Sequence, residues 1–322
     1  MSDLYTRRPV DTLLKPFLAF SRFGAAGGIL LFCATFVALF LSNSNYSELY
    51  EDFWHLPVSF GIGSFSLDLS LKHFINDGLM AFFFFIVGLE IKKEFLWGQL
   101  NSISQSALPV AAAIGGMIVP ALIFLALNPT GATSSGWGVP MATDIAFALG
   151  VLMLLGDRVP TSLKVILTTL AVVDDLGAIA VIAILYTGTL DMTSLIFGVS
   201  TLFLALVANR IGLRLVSIYG ILGIISWLFF LKSGVQATVA GVLLAFTIPG
   251  KKKVVREKLA EKGINLMETF QQKVESNQNT RKSENRILHE LESDMHFAQT
   301  PVEKLELALA PFSAFFIMPV SV

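Results

Sequence analysis

Three acidic side chains stand where acids are costly. Asp174 and Asp175, in Ala171-Val172-Val173-Asp174-Asp175-Leu176-Gly177, and Asp144, after Thr143, lie near the middle of long apolar stretches. An ionisable group at the centre of a membrane helix costs about 2.5–3.5 kcal/mol on insertion scales, so its presence points to function. Two adjacent carboxylates in a low-dielectric site cannot both be ionised cheaply, so the pair holds either protons or a small hard cation. Carboxylate, threonine hydroxyl and backbone carbonyl oxygens suit an alkali cation, whereas a softer transition metal would call for His or Cys. Competition of Na⁺ with H⁺ for one such site is an exchange mechanism, provided access alternates between the two faces. The bland alternative is that Asp174 or Asp175 caps a neighbouring helix end.

The elements that must position these acids are transmembrane helices. The chain has 322 residues, 54% of them hydrophobic and only 15% charged, with a net charge of −1. That composition is too apolar for an ordinary soluble domain and excludes a nucleic-acid binder or a disordered scaffold. The single cysteine, Cys33, rules out a disulfide framework. A helix needs about 20 apolar residues to cross the hydrocarbon core. Eight stretches qualify: Gly24–Leu41, His73–Trp97, Ala107–Leu127, Gly138–Leu155, Val165–Leu185, Met192–Ala208, Leu215–Leu231 and Ser233–Ile248, the last stopped by Pro249-Gly250. Gly136, Gly138 and Pro140 precede Thr143-Asp144, which predicts a broken fourth helix whose unwound backbone lines a cavity.

Lys92-Lys93, Arg158 with Lys164, Arg210 with Arg214, and Lys251-Lys252-Lys253 fall on the same side as the N-terminus, while the opposite side has only Lys72 and Lys232. The positive-inside rule therefore predicts a cytoplasmic N-terminus. Of the 23 Lys and Arg, 11 lie between Lys251 and Lys304. The organisation expected is a cytoplasmic segment 1–23, an eight-helix membrane region 24–249, a polar cytoplasmic insert 250–303 and an incomplete ninth span 304–322. Within the insert, Ile287, Leu288, Leu291 and Met295 follow a helical period, predicting an amphipathic helix over Ser283–Met295. His289, Glu292 and His296 share a face of that helix, but the spacing lacks the second His of a zincin, and a solvated face is the ordinary reading.

Asp77 and Glu90 flank the apolar run Gly78–Leu89 in the second span. Either they are solvated helix ends, or they serve a pH-responsive gate. Phe82 to Phe85 read as packing or lipid-facing residues.

Taken together, the motifs resemble the NhaA-type sodium/proton antiporters. The likeness rests on Ala142-Thr143-Asp144-Ile145-Ala146-Phe147-Ala148-Leu149-Gly150, Asp174-Asp175-Leu176-Gly177-Ala178-Ile179, Val87-Gly88-Leu89-Glu90, and Ile75-Asn76-Asp77 with Leu79-Met80, in that family's order. It covers about Phe23 to Pro249 and resumes from Lys304. The resemblance implies an all-α polytopic bundle of the inverted-repeat type. It also implies that Asp174 and Asp175 bind Na⁺ or Li⁺ and protons, that Asp144 and Thr143 belong to a crossing of unwound helices, and that Glu90, Lys93, Glu94 and Glu306 belong to a pH-sensing funnel. No cofactor is implied beyond the transported ions. The setting implied is the cytoplasmic (inner) membrane of a bacterium, with lipid contacts, a homodimer and no nucleic-acid partner.

Two departures from the family pattern stand out. The second broken helix and the membrane-embedded lysine of the second repeat are not found, so the chain resembles the first three quarters of such an antiporter. Gln236, Leu307 and Ala310 stand where well-known members carry histidines, which would leave any pH response to carboxylates. Two other readings compete with a non-enzymatic transporter: a non-transporting remnant or one piece of a split carrier, and, more remotely, an intramembrane aspartic protease.

Overall fold

The computed structural model describes residues 26–62, 65–141, 143, 148, 152, 155, 158–185, 190–250, 262, 264–269 and 300–321. The expected segment 1–23, the helix Ser283–Met295, the trio His289, Glu292 and His296, and most of the fourth span with Asp144 lie outside the described residues.

The described chain is mostly helical. Helix α1 (Ala26–Ser42) turns through 114° into α2 (Ser47–Trp54). Strands β1 (Pro57–Ile62) and β2 (Phe65–Ser70) then pair antiparallel, with Pro57 opposite Ser70 and Ile62 opposite Phe65. This hairpin is a small addition to a described chain that is otherwise helical, as expected. Its segments alternate apolar Val58, Phe60 and Ile62 with Ser59 and Gly61, and Phe65, Leu67 and Leu69 with Ser66 and Asp68, which is a strand period and not a helical one.

Helix α3 (Leu71–Trp97) contains a π-helical turn at Ile75–Leu79, and α4 (Ile103–Leu127) leads to a 3-10 segment at Ala132–Met141. Then come α5 (Thr161–Leu185), α6 (Met192–Ile211), α7 (Val216–Ser233), α8 (Ala237–Thr247) and α9 (Pro301–Phe312). A second π turn at Ser313–Ile317 carries α9 on to Met318–Val320.

Four described helices are long and apolar enough to cross a membrane: Leu71–Trp97, Ser106–Leu127, Met192–Ile211 and Val216–Ser233, with α1 and α2 as a fifth if the bent pair counts as one span. Their outward faces carry exposed Phe36, Phe40, Leu122, Ile123, Ile196, Phe203, Ile221 and Ile224. Apolar faces of this extent belong against lipid. The eighth expected span is shorter than its apolar run suggests. Gly234, at φ 80°, ends α7 in the left-handed region, and α8 starts only after Gln236, leaving 11 residues. At 1.5 Å per residue that is roughly 16 Å, about half of a bilayer core.

The core gathers α3, α6, α7, α8 and α9 around Phe85, Leu89, Leu202, Tyr219, Phe230, Leu244, Val302 and Ile317. Helices α3 and α8 run parallel and unusually close. A Cβ on Gly241 would sit 2.2 Å from the Ala81 carbonyl oxygen, and one on Gly88 would sit 2.7 Å from Ala245 Cβ and 3.2 Å from Val242 Cα. Small residues allow such approach where the solvent is hydrocarbon. Phe82 packs edge-on to Phe312 at 5.8 Å, and Phe85 is buried, so the phenylalanine run serves packing.

The start of α6 is set by an N-cap. Asp191 accepts from the Thr193 amide at 3.0 Å and from the Ser194 hydroxyl at 2.6 Å. The Ser194 hydroxyl, followed by the Thr193 amide, holds the Asp191 carboxyl below the usual carboxylate value. A depressed acid contributes stability that is present above its unfolded-state value, about 3.9, and is lost as pH falls through the lower folded-state value. Asp191→Ala is therefore expected to lower the melting temperature at pH 7, with the difference from the parent closing below about pH 4. Melting curves of both proteins from pH 3 to 7 test this; a pH-independent difference would remove the charge from the account.

Candidate functional site

Asp174 lies midway along α5, and burial of its neighbours fixes its direction. Thr169, Ala171, Val172 and Asp174 are buried, Asp175 is half-buried, and Leu176 opens outward. On one side, Val172 packs on Val87 and Ile91 of α3. On another, α4 approaches one turn beyond the acids, where a Cβ on Gly177 would meet Met117 Sδ at 2.2 Å. Val172 thus seats α5 on α3, while Asp174, about 200° further round the 25-residue helix, points away from that contact and towards Thr143.

Thr143 Oγ1 donates to Asp174 Oδ2. The contact crosses from the stretch after the 3-10 segment to the middle of α5. Asp174 is only 4% exposed, and its other oxygen, Oδ1, has no hydrogen-bond partner among the described residues. A buried carboxylate oxygen is costly to leave unpaired, so this arrangement suits a proton or a cation at Oδ1. Of the sequence-predicted ion-site residues, the structure brings together Thr143 and Asp174, with Asp175 next in the chain. Asp144 lies outside the described residues.

The second predicted group divides. Lys93 of α3 and Glu306 of α9 form an ion pair at 2.7 Å across a large sequence separation. Glu90 lies within electrostatic range of Glu306, Lys93 and Glu94. Asp77 does not join them: 13 residues along the same helix, or about 20 Å, separate it from Glu90. Its backbone carbonyl, within the π turn, accepts instead from Trp227 Nε1 of α7 at 2.6 Å.

The sequence reading missed Lys92 and Asn209. Lys92 Nζ donates to the carbonyls of Phe246 (2.6 Å) and Ile248 and reaches Ala245 O at 3.5 Å; Asn209 Nδ2 donates to Thr247 O at 2.7 Å. In the sequence Lys92 stands out only as a positive charge near a helix end. The available signal was its place four residues after Gly88, on the face of α3 that meets α8. An apolar cavity of about 480 Å³ between α3, α7, α8 and α9, lined by Gly78, Tyr219, Gly223, Trp227 and Leu305 among others, has no carboxylate in its lining.

With this geometry in view, comparison with known proteins decides the family. Residues 19–321 match the family described as Na⁺/H⁺ antiporter 1. The chain belongs to this family. It is 49% identical to the Na⁺/H⁺ antiporter NhaA of Oleidesulfovibrio alaskensis over 97% of the chain and 70% of that protein. It is 45% identical to the NhaA of Koribacter versatilis, over 99% of the chain and 70% of the relative. It is also 45% identical to the NhaA of Helicobacter pylori, over 98% of the chain and 70% of the relative. The chain therefore spans about 70% of the length of these relatives. Members of the family are membrane transporters and not enzymes, so the intramembrane-protease reading is set aside.

Proposed function

We propose that the chain exchanges Na⁺, or Li⁺, for H⁺ across the bacterial cytoplasmic membrane, driven by the proton gradient, with Asp174 and Asp175 as the shared cation and proton site. The observation that carries this reading is the buried Asp174, held by Thr143 through one oxygen and open at the other. A carboxylate in that state binds a proton or an alkali cation, and binding one excludes the other. Asp144, by resemblance, completes the site near Thr143, and a broken fourth helix supplies backbone oxygens. Glu90, Lys93, Glu94 and Glu306 form the pH-responsive entrance, with Asp77 at the far end of α3. The clustering of Lys93, Glu306 and Glu90 supports a common entrance for these residues, and the Lys and Arg distribution supports a cytoplasmic N-terminus. A homodimer follows from the resemblance alone.

The test is exchange by the chain itself. Reconstituted into liposomes with a proton gradient and an internal pH dye, it should dissipate the gradient on addition of Na⁺ or Li⁺ and leave it intact without them. Correctly inserted protein that leaves the gradient untouched with both ions would overturn the reading for this chain.

A further inference from the structure

Helix α8 ends inside the protein: Ala245, Thr247 and Ile248 are all buried, and Pro249 follows. The last carbonyls of a helix have no partner within it. Here they are claimed by side chains from two other helices. Lys92 of α3 takes Phe246 O and Ile248 O and reaches Ala245 O, and Asn209 of α6 takes Thr247 O. An ammonium at a helix C-terminus also meets the negative end of the helix dipole.

The placement of Lys92 follows from the faces of α3. Ala81, Phe85, Gly88 and Lys92, at helical spacing, lie along α8, where Gly241 and Gly88 let the two backbones touch. Val87 and Ile91 face Val172 of α5, two residues before Asp174. Glu90 and Lys93 lie towards Glu306 of α9. Helix α3 thus stands between the α8 end and the Val172 face of α5, the helix that carries the carboxylates.

We infer that Lys92, seconded by Asn209, is a positioning residue for the carboxylate site: by sealing the end of α8 it fixes α3 along α8, and so fixes the α3 surface on which Val172 seats α5, the helix that carries Asp174 on its other side. The tie itself rests on the geometry above; its consequence for Na⁺ rests on the proposed function.

The experiment separates the two. In a Cys33→Ser background, thiols placed by Val87→Cys and Val172→Cys report how α3 meets α5 through their rate of oxidative cross-linking. Lys92→Met is expected to slow that rate by about 3- to 30-fold, the range of indirect couplings of this kind. Lys92→Arg, which keeps a cationic donor, should restore it, and Asn209→Ala should give a smaller shift in the same direction. In liposomes without the added thiols, Lys92→Met should raise the half-saturating Na⁺ concentration by a similar factor while the maximal rate per inserted protein is kept, and Lys92→Arg should rescue it. A merely structural lysine would instead lower the maximal rate in step with the amount of inserted protein and leave half-saturation alone. Unchanged cross-linking in Lys92→Met, or failure of Lys92→Arg to rescue, overturns the inference. If Lys92→Met fails to insert, Asn209→Ala and Lys92→Arg carry the same comparison. If the parent shows no exchange, the proposed function fails, and the cross-linking rates alone decide for or against the tie.

Discussion

Asp174→Asn is expected to reduce Na⁺-dependent exchange by more than about 100-fold, since losing one partner of a buried charge pair costs about 3–5 kcal/mol. The substitution keeps the shape of the side chain and an oxygen for Thr143 to donate to, so the helices around it need not move. What is lost is the negative charge that a cation or proton neutralises. Thr143→Val tests the other half of the arrangement. It removes a hydrogen bond to a charged group, worth about 1.5–3 kcal/mol, and so should weaken Na⁺ binding by about 10- to 100-fold, less than loss of the carboxylate itself. Both are read as initial rates against Na⁺ concentration in liposomes, normalised to inserted protein. Near-parental exchange by Asp174→Asn would mean that the ion is bound elsewhere. An effect of Thr143→Val equal to that of Asp174→Asn would mean that the hydroxyl is itself a ligand and not only a support for the acid.

The readable part of this molecule was the part written in composition and in misplaced charge. Apolar runs located the helices to within a few residues, as at α4, α6 and α7, because hydrocarbon demands length and apolarity whatever the tertiary contacts. Asp174 was legible because an acid in such a run has few uses, and the structure then placed Thr143 against it. Other features carry no local signal. The π turn at Ile75–Leu79 differs from an α-turn by one residue of register, and Asn76-Asp77-Gly78 does not announce it. The brevity of α8 follows from Gly234 adopting a left-handed conformation before it, which the apolar run alone could not show. Lys92 read as a topological charge because its carbonyl partners lie more than 150 residues away. The hairpin at 57–70 is legible in principle, through its alternation of apolar and small or polar residues.

The α3–α8 contact gives the second large effect. Gly241→Ala adds one methyl group, yet its Cβ would lie 2.2 Å from the Ala81 carbonyl oxygen and 3.1 Å from the Phe85 amide nitrogen. Both are backbone atoms of a helix, so no side-chain rotation relieves the clash, and α3 and α8 must separate. Overpacking of this kind costs about 1–3 kcal/mol and occasionally more, and here separation also draws the α8 carbonyls away from Lys92. The expected result is a sharp fall in the amount of folded, membrane-inserted protein and a lower melting temperature in detergent. Gly220→Ala supplies the contrast. It lies within α7, a Cβ there would meet nothing within 4 Å, and replacing glycine by alanine in a helix gains about 0.5–1 kcal/mol. The same substitution type is therefore expected to act in opposite directions 21 positions apart. Equal behaviour of the two variants would show that helix propensity, and not the approach of α8 to Ala81, sets the response at Gly241.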